Sequence, residues 1–327
     1  MRVWCSKGLA ACLLLPAALL FGGLTALRRS LYNWGVLTST KLPVPVVVVG
    51  NVVAGGAGKT PLVIALARHL MQSGLYVGVV SRGYGRQGLA CQEVGAETPV
   101  TESGDEPALV RQAVQCPVFV APRRADAARA LLLAYPATQL IICDDGLQHY
   151  ALARDIEIAV FDDRGIGNGW LMPAGPLREP WPARQALGID LVLHSGQKPA
   201  FSGFRSTRRL AEHAVAADGK QVLLSTLTDT PLVALAAIAQ PDAFFDMLQA
   251  RGLTLKTRLS LPDHDDLLGL NLNLPIGAIV LCTEKDAVKL FKRTPPLPVH
   301  LLAVPLAFEP EEAFYHAFDA LLAPLLA

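Results

Sequence analysis

The stretch VVVVGNVVAGGAGKTP, from Val46 to Pro61, determines how the fold of this chain is predicted. The apolar run from Val44 to Val49 predicts a buried parallel strand, and the periodicity of LVIALARHL behind the glycines predicts a helix. Glycines without side chains let backbone N–H groups surround phosphate oxygens, and the N-terminus of the helix adds positive potential. A strand, a glycine-rich loop and a helix in this order therefore predict nucleotide binding.

Within this loop, Lys59 is placed to reach the outer phosphates and the Thr60 hydroxyl to hold Mg²⁺. The first glycine of the pattern G-x-x-x-x-G-K-S/T falls at Val53, so the match is imperfect. A chance GKT in a loop is the alternative, and the flanking strand and helix argue against it. The residues expected to bind the nucleotide are Val53, Ala54, Gly55, Gly56, Ala57, Gly58, Lys59 and Thr60.

The overall composition gives no sign of a nucleic-acid partner and indicates a reducing compartment. The 29 basic and 28 acidic side chains give a formal net charge of +1, so no nucleic-acid partner is expected. Six scattered cysteines form no C-x-x-C pair and are expected to be free thiols, mostly buried. The hydrophobic content of 52% is high for a soluble enzyme, and part of the excess lies at the N-terminus.

The N-terminal segment from Leu9 to Leu27 contains no charged residue and has basic residues on both sides. A cleaved signal peptide is disfavoured because the bulky Leu27 and the arginines after it spoil a cleavage site. A membrane-spanning helix is weakened by Pro16 and by the pair Gly22-Gly23. A helix lying in the membrane surface is the third interpretation. The sequence predicts membrane attachment and leaves spanning and surface insertion open.

Apolar strands alternate with helical patterns along the rest of the chain, which predicts an α/β fold built on a parallel sheet with helices on both faces. With the phosphate loop after the first strand, this architecture is that of a P-loop NTPase. The pattern weakens between Phe204 and Gly219, and a second, smaller alternation follows, with QVLLSTL as one strand candidate and a C-terminal helix at Glu311 to Leu325. We therefore expect an N-terminal membrane-associated helix at 1–30, a nucleotide-binding domain at 31–210 and a smaller α/β domain at 211–327.

Asp144 and Asp145 follow the strand LIIC, at the sheet edge where the phosphate loop also lies. A magnesium-binding acidic pair is expected there in a P-loop enzyme, and helix-capping or solvated aspartates are the alternative. Asp105 and Glu106 precede a helical run, and their position favours a helix cap. His264, in LPDHDDL, is by itself most simply a solvated loop residue.

Two other patterns carry little weight. Gly83, Gly85 and Gly88 have dinucleotide-binding spacing, but they follow the second strand and no helical pattern opens after them. TEKDAVKL resembles the guanine-reading N-K-x-D only loosely, because its lysine is displaced. The second pattern does not support a GTPase.

The motifs GNVVAGGAGKTP, SRGYG, GDEP, DDGLQHY, LMPAGPLREP, PDHDD and TEKDAVKL occur in this order and together resemble the tetraacyldisaccharide 4'-kinase family. The resemblance covers nearly the whole chain, including the N-terminal apolar segment. It implies transfer of the γ-phosphate of ATP, with Mg²⁺, to the 4'-hydroxyl of a tetraacylated glucosamine disaccharide 1-phosphate, which yields lipid IVA. It also implies action at the cytoplasmic face of the inner membrane, and two α/β/α domains joined by a β-hairpin linker with the active site between them.

The resemblance also implies roles for particular residues. Asp144 and Asp145 match the acidic pair near Mg²⁺, and Asp105 with His264 matches the pair that activates the acceptor hydroxyl. Residues in motifs that line the cleft, and are expected to bind substrate, are Arg82, Tyr84, Gln148, His149, Asn168 and Arg178. The chain departs from the family in VAGGAGKT, where threonines are usual, in Asp265, where a second histidine is common, and in LAAIAQPDAFF, where the family tends to have AGIGNP.

A competing function shares several of these features. A membrane-associated P-loop ATPase that acts as a switch or accessory protein would also need the phosphate loop, the acidic pair and the membrane anchor. It does not account for GDEP, PDHDD or the second domain. An Asp–His pair split between two domains supplies a base only when both are in place, which limits hydrolysis of ATP by water.

Overall fold

The computed structural model describes residues 2–181, 188–263, 265, 267, 270, 274, 277–293 and 295–327. Within them, the strands are β1 (Val46–Gly50), β2 (Val77–Ser81), β3 (Gln92–Glu93), β4 (Val118–Val120), β5 (Leu140–Asp144), β6 (Ile156–Phe161), β7 (Leu191–His194), β8 (Phe204–Leu210), β9 (His213–Ala216), β10 (Gln221–Leu223), β11 (Leu232–Ala236), β12 (Leu255–Ser260), β13 (Ile279–Thr283), β14 (His300–Val304) and β15 (Leu306–Pro310). The α-helices are α1 (Leu9–Leu13), α2 (Leu15–Asn33), α3 (Lys59–Gln72), α4 (Val100–Ser103), α5 (Asp105–Ala113), α6 (Arg124–Ala134), α7 (Pro241–Ala250), α8 (Glu284–Leu290) and α9 (Glu312–Leu326).

The first sheet carries the phosphate loop and has the strand order β15-β8-β7-β6-β1-β5-β2-β4-β3. All neighbours pair in parallel except β3 with β4 and β15 with β8. Side chains of β1 alternate between the two faces: Val47 and Val49 pack in the core with α3, and Val46 and Val48 pack in the core with α6. The predicted α/β class with a mostly parallel sheet is confirmed.

The second sheet has the strand order β10-β9-β14-β13-β11-β12. Four neighbouring strands of this sheet, β14, β13, β11 and β12, are parallel. Strand β9 pairs antiparallel with β14, and β10 pairs antiparallel with β9. Helix α7 packs Phe244 and Phe245 on one face, and α8 packs Ala287 and Leu290 in the core on the other. Each sheet therefore has its own pair of cores, as a layered α/β unit requires.

The end of the chain lies on the first sheet. We expected the smaller domain to run to residue 327, but β15 pairs with β8, and α9 buries Phe314, Phe318 and Leu322 in the core of α3. Residues 211–212 and residue 305 connect the two sheets. The strand expected at QVLLSTL is also shorter: β10 ends at Leu223, because the next residues form a 3₁₀ turn that buries Leu224 and Leu227.

The N-terminal apolar segment forms two helices, with the break at Leu14 just before Pro16, whose ring and missing N–H favour the first turn of a new helix. The Trp4 indole donates to the carbonyl of Pro173 at 3.0 Å, so this segment is anchored on the first domain. Among the described residues, no helix combines the length and the apolarity needed to cross a membrane.

Candidate active site

The phosphate loop ends in a left-handed residue, Gly58, with φ of 88°, and α3 begins directly after it. Lys59 and Thr60 therefore occupy the first helical turn, before the stretch LVIALARHL whose periodicity predicts the helix. Both side chains are buried. The Lys59 ammonium lies 3.6 Å from Asp145, and the Thr60 hydroxyl lies 3.4 Å from Asp144. The loop thus brings the lysine and the threonine to the acidic pair.

Three side chains that sequence reasoning did not identify hold the loop from outside. The Asn51 amide donates to the carbonyl of Gly55 at 2.8 Å, the Arg164 guanidinium to that of Gly56 at 2.7 Å, and the Ser195 hydroxyl to that of Ala57 at 2.6 Å. These bonds engage carbonyl oxygens, which would otherwise repel phosphate. Arg164 and Ser195 are distant in sequence and belong to no motif, so only the fold reveals them.

The acidic pair fits a magnesium ion. Asp144 ends β5, is 1% exposed, and its Oδ1 has no hydrogen-bond partner among the described residues. Burial and, second, the charge of Glu106 raise the pKa of Asp144 to about 8, although the charge of Lys59 acts in the opposite direction. A buried carboxylate oxygen without a partner, next to a hydroxyl, is a donor set that Mg²⁺ prefers. Thr60, Asp144 and Asp145 are therefore the residues that would hold the ion, and a solvated Asp144 is excluded.

Asp145 is the charge centre of this cluster. Burial acts to raise its pKa, but the positive charges of Lys59, Arg178 and Arg124 outweigh burial and hold the pKa below its ordinary value. Arg178 lies 3.4 Å from Asp145 and 3.4 Å from the Gln148 side-chain oxygen. Arg124, which the sequence did not single out, donates to the Asp145 carbonyl at 2.9 Å. The structure therefore joins two expected substrate residues, Gln148 and Arg178, to the acidic pair.

His149 lies beside the same cluster. Burial and then the charge of Arg124 and other arginines lower the pKa of His149 to about 4. The imidazole is consequently neutral at pH 7, and its buried Nε2 has no partner among the described residues. The ring thus presents a neutral nitrogen rather than a cation at this site.

Asp105 is the first residue of α5, and Gly104 is the N-cap, so the sequence-based expectation of an Asp105 cap does not match the helix start. The Asp105 carboxylate instead forms an ion pair with Lys289 of α8 at 2.6 Å, with both side chains largely buried. Lys289 also donates to the carbonyl of Asp265 at 2.6 Å. His264 lies outside the described residues. The structure therefore ties Asp105 to the second sheet through a lysine that sequence reasoning did not identify.

The remaining expected substrate residues lie in two places. Arg82 and Tyr84 are exposed in the loop after β2. This loop packs closely on Gly104, because a β-carbon on Gly104 would lie only 2.9 Å from the carbonyl oxygen of Tyr84. Asn168 is buried, and its amide donates to carbonyls of the N-terminal segment and of Ala174. Asn168 thus connects the N-terminal segment to the first domain, and its role as a substrate contact stays a prediction.

A glycine loop ending in a buried lysine, with carboxylates at the end of the adjacent strand, defines a P-loop nucleotide-binding protein of the α/β class. The family profile described as tetraacyldisaccharide-1-P 4'-kinase matches residues 10–323. The chain belongs to this family, and its enzyme class is that of an ATP-dependent kinase.

Known proteins agree with this assignment. The chain is 63% identical to the tetraacyldisaccharide 4'-kinase of Polaromonas sp. over 327 residues, which is 100% of this chain and 97% of the relative. It is 53% identical to the enzyme of the same name from Acidovorax sp., over 98% of this chain and 94% of the relative. The crystal structure of "apo" form LpxK from Aquifex aeolicus in complex with ATP is similar, with a TM-score of 0.79 and 27% identity over 98% of this chain and 100% of that one.

We predict that Lys59→Ala abolishes most phosphoryl transfer while the protein stays folded, because the charge on the outer phosphates is then uncompensated. Single-turnover transfer from ATP measures the loss, and circular dichroism checks the fold. Lys220→Ala, at an exposed lysine in a turn of the second sheet, is the control and should transfer normally. Normal transfer by the Lys59 variant would remove the phosphate loop from the mechanism.

Proposed function

We propose that the protein transfers the γ-phosphate of ATP to the 4'-hydroxyl of a tetraacylated glucosamine disaccharide 1-phosphate, forming lipid IVA in lipid A biosynthesis. The observation that carries this proposal is that the chain holds two distinct groups of residues suited to this reaction. The first domain supplies Lys59 and the acidic pair, and the second sheet reaches Asp105 through Lys289. A nucleotide switch protein needs only the first of these groups.

The first group binds and orients the nucleotide. Backbone N–H groups of the loop and the Lys59 ammonium hold the phosphates, and Thr60, Asp144 and Asp145 would hold Mg²⁺. When bound, the ion neutralises charge that develops on the phosphate oxygens. Arg178, attached to Asp145, keeps that carboxylate ionised and in place.

The second group, Asp105 with His264, accepts the proton of the acceptor hydroxyl. A sugar hydroxyl is a weak nucleophile, and its proton must move to a base as the bond to phosphorus forms. Asp105 accepts this proton and His264 orients or shares it. The charge of Glu106, next to Asp105, acts on Asp144, which supports placing the base within reach of the phosphate site. Lys289 forms an ion pair with the Asp105 carboxylate at 2.6 Å and holds it in position from the second sheet.

The lipid acceptor requires further contacts. Arg82 and Tyr84 are exposed beside the helix that Asp105 begins, which suits contacts with the charged and sugar parts of the acceptor. Gln148, His149 and Arg178 border the acidic pair and would contact the part of the acceptor nearest to the transferred phosphate. Asn168 would act from the loop that carries the N-terminal segment.

The N-terminal segment brings the enzyme to its acceptor. A molecule with four acyl chains does not leave a bilayer readily, so the enzyme must work at the membrane surface. Leu20, Leu24 and Leu27 have helical spacing on α2 and are 53–67% exposed, while Lys7 and Arg28 are exposed near the two ends of the apolar segment. This arrangement suits a helix pair inserted in the cytoplasmic face of the inner membrane, with its basic ends near anionic headgroups.

The functional test is turnover with and without acceptor. ATP hydrolysis by the protein alone should be slow, and addition of the acylated disaccharide 1-phosphate should produce ADP and an equal amount of 4'-phosphorylated lipid. Fast hydrolysis that the lipid does not change would favour the alternative, a membrane-associated ATPase that acts as a switch or accessory protein.

We predict that Asp105 and His264 act as one unit. Asp105→Ala and His264→Ala should each lower single-turnover transfer by roughly 10²–10⁴-fold, the range for a positioned general base. The double variant should be little slower than the slower single variant, because groups that act together are not additive. ATP affinity, measured separately, should change little. Effects that multiply would show independent roles, and unchanged rates would remove both residues from the reaction.

We predict that the exposed leucines, rather than the anchored Trp4, carry membrane attachment. Changing Leu20 and Leu24 to Gln should release the protein from vesicles of anionic phospholipid in a sedimentation assay, and leave ATP binding intact. Leu89→Gln with Leu133→Gln is the matched control, since these leucines are 81% and 84% exposed elsewhere on the protein. Equal release by the control, or full retention of the test variant, would contradict the prediction.

A further inference from the structure

Arg208 on β8 reaches the phosphate loop from the side opposite to the acidic pair. In the strand order, β8, β7 and β6 lie on one side of β1, and β5 with Asp144 lies on the other. The Arg208 guanidinium lies close to Gly58. A β-carbon on this glycine would overlap the Nη2 atom of Arg208. Gly58 is the N-cap of α3, so the cation lies against the residue at which the phosphate-binding helix begins.

The charge of Arg208 has no bonded counter-ion among the described residues. Its Nε is buried without a hydrogen-bond partner, and the ring of Phe308 lies under the guanidinium at 5.8 Å. Burial lowers the pKa of Arg208, whereas the nearby Asp162 and Asp163 raise it.

Both of these carboxylates already have other partners. Asp162 binds the Arg164 guanidinium at 2.7 Å and the Gln240 amide at 3.0 Å. Asp163 accepts from the backbone N–H of Lys198 at 2.6 Å. A partly buried guanidinium without a bonded partner is costly by itself, and an anion in the loop would offset that cost.

We propose that Arg208 is a phosphate-binding residue, which contacts the phosphate chain of the nucleotide from the β8 side while Lys59 contacts it from within the loop. The inference rests on the proposed function only in that the loop holds the phosphates of ATP. A guanidinium suits this role because its planar set of donors binds two phosphate oxygens at once. No sequence motif points to Arg208, because β8 is far from the loop along the chain.

The neighbouring Arg209 provides a matched control. Side chains on a strand alternate between faces, and Arg209 points to solvent, where it pairs with Glu309 at 2.8 Å. Arg208→Met and Arg209→Met therefore remove the same charge from adjacent positions, one against the phosphate loop and one in solvent.

The experiment measures binding and stability of the full chain. Arg208→Met should weaken ATP binding about 10- to 100-fold, the range for loss of a charge-assisted hydrogen bond, and should leave adenosine binding unchanged. The melting temperature of the unliganded protein should be unchanged or higher, because a charge without a bonded partner has been removed. Arg209→Met should alter neither quantity, and Arg208→Lys should recover part of the affinity.

Unchanged ATP affinity in Arg208→Met would overturn the proposal, as would equal weakening of adenosine binding. Failure of both Arg208→Met and Arg208→Lys to fold would show a structural role and also overturn it. Lys59→Ala in the same assay separates this inference from the proposed function. If Lys59→Ala loses ATP and Arg208→Met does not, only the role of Arg208 fails; if the unaltered protein does not bind ATP, the kinase proposal fails with it.

Discussion

The left-handed turn at Gly58 ends the phosphate loop that follows β1, and it sets where α3 begins with Lys59. A side chain at this residue would be strained by the φ of 88° and would collide with Ser195 and Arg208. Because the turn is so tight, Lys59 and Thr60 enter the first helical turn as buried side chains facing the end of β5. The phosphate site therefore depends on a close approach that only glycine permits.

The charged side chains around this turn suit ligands that are themselves charged, a divalent cation and phosphate groups. Asp144 is buried, and one of its oxygens lacks a partner among the described residues. Burial therefore favours its protonated form, and a divalent cation would reverse that preference. Asp145 differs because Lys59, Arg178 and Arg124 surround it and keep it ionised. Two adjacent aspartates of the same strand end thus have opposite electrostatic environments. Their sequence, Asp-Asp, contains no hint of this difference, which comes from neighbours on other elements.

Local features of the site could be predicted from the sequence, and long-range ones could not. The strand, loop and helix around Lys59 are contiguous, so periodicity and glycine spacing were sufficient, and the strand end placed Asp144 and Asp145 at the same sheet edge. Arg124 and Lys289 come from distant segments, and no motif pairs them with the residues that they contact. The return of β15 and α9 to the first sheet was missed for the same reason, since strand pairing with β8 leaves no local signal. Asp105 was first interpreted as a cap from its position alone, and its role as a base came from the family resemblance and stays a proposal.

The second sheet contacts the first domain at both ends of the proposed reaction. Near the phosphates, Gln240 donates to Asp162, which binds the Arg164 guanidinium that holds the Gly56 carbonyl. Near the acceptor, Lys289 holds Asp105.

Just beyond α8, Lys292 donates to the carbonyl of Ala96 in the first domain at 2.8 Å. These contacts come from one layer, which residues 211–212 and 305 connect to the first domain. The same layer therefore supports the loop carbonyl of Gly56, through Asp162 and Arg164, and the ion pair at Asp105. Under the proposed function, one layer thus supports both the phosphate loop and the acceptor base, and a transfer between two bound substrates requires that these two parts be held in fixed relative positions.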